Sequence, residues 1–333
     1  MSDNIDKHML RPIADKLYEI TDDMWNKINS DNRELTEEFL KVNKQLSPRT
    51  IEVYTSALRQ FFWFIYDSLK DKPYYKISKR DFMKYMSYLQ ERGLSSSAIG
   101  LRKSSVSSFC NYIENIVADD IEEANNFRNF TRGMPSVVKN KVYDKTPITH
   151  EEYELLIKTL EERKDYLGLA WVATAFNVGS RRAEIIQLKT EILDYPIQEG
   201  KNYIVSHVVM GKGSSGGKPL KYMVNKEALH YMKLWVENRK YDSEYIFVVK
   251  YGGKINPISR NWANRFCNEV LSPILKKRIH PHMFKASCIT YLLSIGKNLQ
   301  SISKFVAMHN DTSTTSNFYD LRDFEDEKND IFD

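Results

Sequence analysis

The stretch 47–69, SPRTIEVYTSALRQFFWFIYDSL, constrains the fold more than any other part of the chain. Ser47 suits a helix cap, and Pro48 falls at a first helical position, where no N–H is needed. Ile51, Tyr54, Leu58, Phe61, Phe62, Ile65 and Leu69 then recur at intervals of three and four, the period of one helical face. A long helix with so aromatic a stripe must bury it against other helices. Two follow at once. SKRDFMKYMSYLQERG opens at Ser78, places Phe82, Tyr85, Met86 and Leu89 on one face and stops at Gly93. SSSAIGLRKSSVSSFCNYIEN turns Ile99, Val106, Phe109, Cys110 and Ile113 inward. Residues 47–130 are therefore expected to form a small all-helical domain. Residues 1–46 are expected to be an extension with a helix around Leu17 to Ile28, for which the sequence names no packing partner.

From residue 131 to 148 the helical period is lost. TRGMPSVVKNKVYDKTP carries Gly133, two prolines and the cations Arg132, Lys139, Lys141 and Lys145 against the single acid Asp144, the composition of a basic linker. Helix resumes with a capping box, Thr149 to Glu152. LGLAWVATAFNVG is apolar all round, which predicts a buried helix ending at Gly179, and RRAEIIQL continues as another. Tyr203 to Val224 sets two β-branched runs around a Gly/Ser turn, a β-hairpin. Helices are expected at about 226–239, 259–271, 281–295 and 299–308. MHNDTSTTSNFYDL, residues 308–321, is expected to be a turn or irregular connection, because Ser, Thr, Asn and Asp compete with helix for the backbone. At 333 residues the chain exceeds the size at which single cores stop growing. The expected fold is mostly α with a small β-hairpin, in two domains, 47–130 and 149–319, followed by an acidic tail, 320–333.

Charge narrows the partner. The formal net charge is +5, but residues 47–319 hold 40 basic and 27 acidic side chains, a net of +13. A basic body with acidic ends suits a phosphate-rich partner, since each neutralised phosphate releases counterions. Arg49, Arg59, Lys79, Arg80, Arg102, Lys103, Ser104 and Ser107 on the helical domain, with Arg132, Lys139 and Lys141 of the linker, are the residues expected to follow a DNA backbone. The three cysteines, Cys110, Cys267 and Cys288, have no metal-ligand or disulfide spacing and are expected to be buried apolar residues. No apolar run reaches membrane-spanning length and MSDNIDKHML has no signal-peptide core, so a cytoplasmic protein is expected.

Four short motifs lie in order along the second domain. NVGSRRAEIIQL presents Arg181 after a glycine turn. VVMGKGSSGGK presents Lys212 on the hairpin. HPHMFKASCITYLL presents His282 at a helix start, and MHNDTSTTSNFYDL presents His309 ten residues before Tyr319. Taken together they resemble the tyrosine recombinase, or phage integrase, family. The family's G-x-R-x-x-E box matches Gly179, Arg181 and Glu184, and its hairpin lysine matches Lys212. Its H-x-x-R box matches His282 but has Lys285 at the second arginine. Its G-H-x-x-x-x-T-T box and nucleophilic tyrosine match His309, Thr314, Thr315 and Tyr319, with Met308 for the usual glycine. Residues 47–130 also look like the family's SAM-like core-binding domain, so the resemblance runs from 47 to 319.

The resemblance implies strand cleavage and rejoining at a specific site in double-stranded DNA, with self-association on that DNA. It also explains the residue types. A tyrosine hydroxyl, ordinarily titrating at about 10, attacks a phosphodiester poorly, and the pentavalent transition state gathers charge on two non-bridging oxygens. Cationic donors must surround them. Arg181 is implied to clamp one oxygen, His309 to bond another, His282 to serve as acid, base or donor, and Lys212 to protonate the leaving 5′ oxygen. Tyr319 is implied to form a 3′-phosphotyrosyl link that stores the bond energy, so no metal or cofactor is expected. Lys285 keeps the charge of the second arginine without its planar fork. The alternative is a repressor or architectural factor that keeps the recombinase scaffold without turnover. The tail after Tyr319 is read as a helix exchanged between protomers or as a frayed end.

Overall fold

A computed structural model of the chain describes residues 17–43, 46–135, 146–213 and 217–322. Lys139, Lys141, Asp144 and the acidic run 323–333 lie outside the described residues. The described residues fall into two compact units, one ending at 135 and one beginning at 146.

The first unit is helical: α1 (Asp22–Trp25), α2 (Ser30–Val42), α3 (Pro48–Leu69), α4 (Lys79–Glu91) and α5 (Ser96–Asn115). Local chemistry starts each one. The Ser47 hydroxyl accepts from the Thr50 amide, Ser78 and Asp81 close a capping box, and Ser95 accepts from the Ala98 amide. Gly93, at φ 72°, follows α4 in the left-handed conformation that glycine adopts without penalty. The helices then bury the predicted stripe, with Phe61, Phe62, Phe82, Tyr85 and Phe109 essentially inaccessible.

The boundary expected at residue 47 changes. The expected helix over 17–28 is the single turn α1, and it and α2 belong to the same core. Trp25, Ile28, Leu35 and Phe39 are buried, Trp25 meeting Phe62 edge-on at 6.5 Å and Phe39 meeting Phe109 edge-on at 5.6 Å. Burial of side chains this large is worth about 1.5–3 kcal/mol each, enough to fix a segment whose own helical period is weak. Thr131, Met134 and the carbonyl of Met134, bonded by Lys103 Nζ at 3.3 Å, also tie the start of the expected linker to this unit.

The second unit contains α6 (His150–Glu162), α7 (Tyr166–Val178), α8 (Arg182–Ile185), β1 (Tyr203–Val205), β2 (Val209–Gly211), β3 (Lys218–Leu220), β4 (Met223–Asn225) and α9 (Lys226–Asn238). It continues through β5 (Val248–Tyr251), β6 (Lys254–Pro257), α10 (Arg260–Arg265), α11 (Ser272–Leu275), α12 (Pro281–Ser294), α13 (Leu299–Phe305) and α14 (Thr312–Tyr319). The Thr149 box forms as read, and α7 is buried along nearly its whole length, with Trp171 edge-on to Phe284 at 5.1 Å. The predicted hairpin is two antiparallel ladders in series, β1 with β4 and β2 with β3. Between them Ser206 Oγ accepts from the Tyr222 amide at 3.0 Å. A second hairpin, β5 and β6, turns at Gly252 and Gly253, both at positive φ. Helix 259–271 is longer than expected and passes through a π-helical stretch, Phe266–Leu271, just before Pro273, whose ring lacks an N–H and crowds the preceding turn.

The stretch 308–321 is the clearest departure. Residues 312–319 form α14, capped by Asp311 accepting from the Ser313 amide. Helix wins over the local preference of Ser and Thr because Thr315 is fully buried where α14 packs on α12 and α13. All three cysteines are buried. Among the described residues, no helix is long and apolar enough to cross a membrane.

Candidate active site

Arg181 begins the site. It stands just after the left-handed Gly179, as N-cap of α8, and its Nη1 lies 3.1 Å from Glu184 Oε1. Glu184 is 1% exposed and accepts three bonds: from the Arg181 amide at 2.6 Å, from Arg181 Nη1, and from the Tyr222 hydroxyl at 2.5 Å. Burial works against the Arg181 charge, but Glu184 more than offsets it and holds the guanidinium firmly protonated. Burial, then Glu184, pushes the Tyr222 hydroxyl well above its ordinary range. One edge of Arg181 is thus fixed to protein while the side chain stays partly exposed.

Around Arg181 the structure gathers Lys285, His309 and Tyr319. His309 follows α13, its amide donating to the Ser303 carbonyl at 3.0 Å. The Thr315 hydroxyl donates to Ser303 Oγ at 2.9 Å and faces His309 Nδ1 at 2.9 Å, so the imidazole carries its proton on Nδ1. Nε2 is buried and has no hydrogen-bond partner among the described residues. Burial first, then the charges of Lys285 and Arg181, push His309 down to about 4. Its ring lies 4.9 Å from that of Tyr319, the last residue of α14.

Lys285 is 2% exposed, its Nζ 5.8 Å from the Tyr319 ring centre and donating to the Ala307 carbonyl at 2.6 Å. Burial, then Arg181, lowers it to about 8. Any phosphate contact from this lysine therefore competes with a backbone bond already made. His282, in the first turn of α12, is also shifted down, by crowding of surrounding atoms and then by Arg182, Arg181, Arg260 and Lys285. Neither Arg182 nor Arg260 has an ion pair among the described residues. The sequence signals for them were slight: Arg182 directly follows Arg181, and Arg260 opens α10 after the Ser259 cap.

The hairpin carries two lysines beside its turn, Lys212 and Lys218. Lys212 follows β2 and is exposed, with no side-chain partner among the described residues. Lys218 on β3 reaches Asn310 Oδ1, at 2.5 Å, beside His309.

Of the expected DNA-facing side chains, Lys79, Arg80 and Ser104 are exposed and form no side-chain hydrogen bond or ion pair among the described residues. Arg49 pairs with Glu52 at 2.6 Å on the surface, and Arg132 with Glu114 at 2.7 Å. Ser107 accepts from Asn129. Arg59 and Arg102 turn toward protein: Arg59 to Asp22 at 2.8 Å and the Trp25 ring, Arg102 to Gln60 Oε1 at 3.1 Å and the Ala98 carbonyl.

The profile of the phage integrase family matches residues 147–325, and that of the phage integrase N-terminal SAM-like domain matches residues 33–120. The SPbeta prophage-derived recombinase-like protein YomM of Bacillus subtilis (strain 168) is 55% identical over 333 residues, the whole of both chains. A tyrosine recombinase XerC of Pediococcus pentosaceus is 24% identical over 84% of this chain and 90% of its own. Among solved structures, the Tn1549 transposon integrase in complex with circular intermediate DNA shares the fold with a TM-score of 0.68 at 18% identity, over 90% of this chain and 98% of that one. The profile match to more than half of the chain, with a full-length relative at 55% identity, places this protein in the phage integrase family of tyrosine recombinases.

Proposed function

We propose that the protein is a site-specific recombinase that cuts and rejoins duplex DNA through a phosphotyrosyl intermediate, with Tyr319 as nucleophile. The observation that carries this is the arrangement of Arg181, Lys285 and His309 around a tyrosine whose hydroxyl has no bond to any described residue. The DNA complexes formed by the Tn1549 integrase and the basic body of this chain support duplex DNA as substrate.

The Tyr319 oxygen attacks the scissile phosphorus, forming the new O–P bond as the P–O5′ bond breaks. His282, whose proton affinity is lowered by burial and then by the cations around it, takes the tyrosine proton, and Lys212 gives a proton to the leaving 5′ oxygen. The free edge of Arg181 holds one non-bridging oxygen. His309 meets the other through Nε2, taking up a proton as the phosphate arrives. Lys285 adds one of its remaining N–H donors. Rejoining runs the same steps backwards with an incoming 5′ hydroxyl, on an assembly of protomers at the site.

The test is a nicked suicide duplex carrying the sequence that the wild-type protein selects from a random duplex library. A covalent protein–DNA adduct is expected, absent in Tyr319→Phe. A second reading, a DNA-binding regulator without turnover, draws on the Lys285 ammonium already bonded to Ala307. It requires that wild type and Tyr319→Phe bind the selected site equally, that neither forms an adduct, and that Arg181→Ala only weakens binding.

A further inference from the structure

Tyr319 closes α14, so its carbonyl is one of the acceptors that a helix end leaves unpaired, and the chain departs from helix at Asp320. Thr290 takes both sides of that exit. Its hydroxyl donates to the Tyr319 carbonyl at 2.9 Å and accepts from the Leu321 amide at 3.1 Å. Thr290 is 8% exposed, so water competes little for either bond. It belongs to α12, the helix that also carries His282 and Lys285.

The geometry points to Thr290 as a positioning residue for the nucleophile, holding the Tyr319 backbone to the helix that presents His282 and Lys285. This rests on Tyr319 being the nucleophile. A hydroxyl that is donor to one side of the residue and acceptor to the other fixes the Tyr319 Cα against both sliding and rotation, which one bond alone does not do. The Tyr319 ring lies against His309 and Lys285 and has no polar tether of its own among the described residues, so its placement depends on this backbone hold. Reaction of a held pair falls steeply when the reacting atom wanders by an ångström.

Thr290→Val keeps the side-chain shape and removes both bonds, whereas Thr290→Ser keeps the hydroxyl. On the nicked suicide duplex at saturating concentration, Thr290→Val is expected to slow adduct formation by at least about tenfold with Kd within about twofold of wild type, and Thr290→Ser to retain at least about half the rate. In the DNA-free protein, amide hydrogen exchange across residues 316–322 is expected to quicken in Thr290→Val and not in Thr290→Ser. A Thr290→Val rate equal to wild type overturns the inference even if exchange quickens, and so does a rate loss no larger than the loss of folded protein or of DNA affinity. If the wild-type protein forms no adduct, the proposed function fails by itself and the exchange comparison decides whether Thr290 holds the segment: unchanged exchange overturns that too.

Discussion

His309 and Tyr319 face each other with ring centres 4.9 Å apart, and the imidazole nitrogen left without a partner is Nε2. A neutral ring protonated on Nδ1 offers that nitrogen only as an acceptor, which a phosphate oxygen cannot use. Phosphate binding must therefore bring a proton, against the Lys285, Arg181 and Lys218 charges that face the ring and with Glu184 favouring it. DNA affinity is expected to fall as pH rises from about 5 to 7, and His309→Gln, which donates at every pH, is expected to flatten that dependence. Binding isotherms across this range check it.

The same group sets a stability slope. Folded His309 titrates at about 4 against an ordinary 6.5, so below 6.5 the unfolded chain binds the proton more readily. Stability from this residue is complete above 6.5 and is lost as pH falls toward 4. Urea unfolding midpoints are expected to fall less over that window in His309→Gln than in wild type.

Lys285 gives a prediction of opposite flavour. Holding its charge in a site that lowers it from 10.5 to about 8 costs roughly 3 kcal/mol, and the Ala307 bond returns about 1. Lys285→Met is therefore expected to stabilise the fold by about 1–2 kcal/mol at pH 7 while reducing the adduct rate. In wild type, stability should rise between pH 8 and 10.5, where the unfolded chain holds the proton that the folded chain has released. Denaturant titrations at pH 7, 8 and 10 measure both.

Gly133 stands at φ 69°, and a Cβ there would lie 3.7 Å from Lys79 Nζ. Gly133→Glu is expected to cost about 1 kcal/mol in backbone strain and to neutralise Lys79, weakening DNA binding more than Asp144→Ala does. Competition binding at fixed salt separates the two variants.

What the sequence disclosed was chiefly what local chemistry decides. Ser47 with Pro48, Ser78 with Asp81 and Thr149 with Glu152 are complete within four residues, and each starts a helix where read. Arg181, Lys285, His309 and Tyr319 were nameable as a group through family boxes, although nothing local announces that they meet. The misses depend on distance along the chain. Helix α14 forms because Thr315 is buried against residues of α12 and α13, and a window of Ser and Thr carries no trace of that. Ala307 meets Lys285 across 22 positions, and Tyr222 meets Glu184 across 38. Trp25 and Phe39 were present in the sequence as isolated aromatics, with no period to assign them to a face.

Those two aromatics have a practical side. Expression of the helical unit from residue 47 onward, where the sequence suggests a clean start, strips Trp25 from Phe62 and Phe39 from Phe109 and leaves both phenylalanines facing solvent on α3 and α5. The trimmed fragment would be sticky and short-lived in the cell, a ready substrate for chaperones and proteases, whereas a fragment beginning ahead of Leu17 retains its lid.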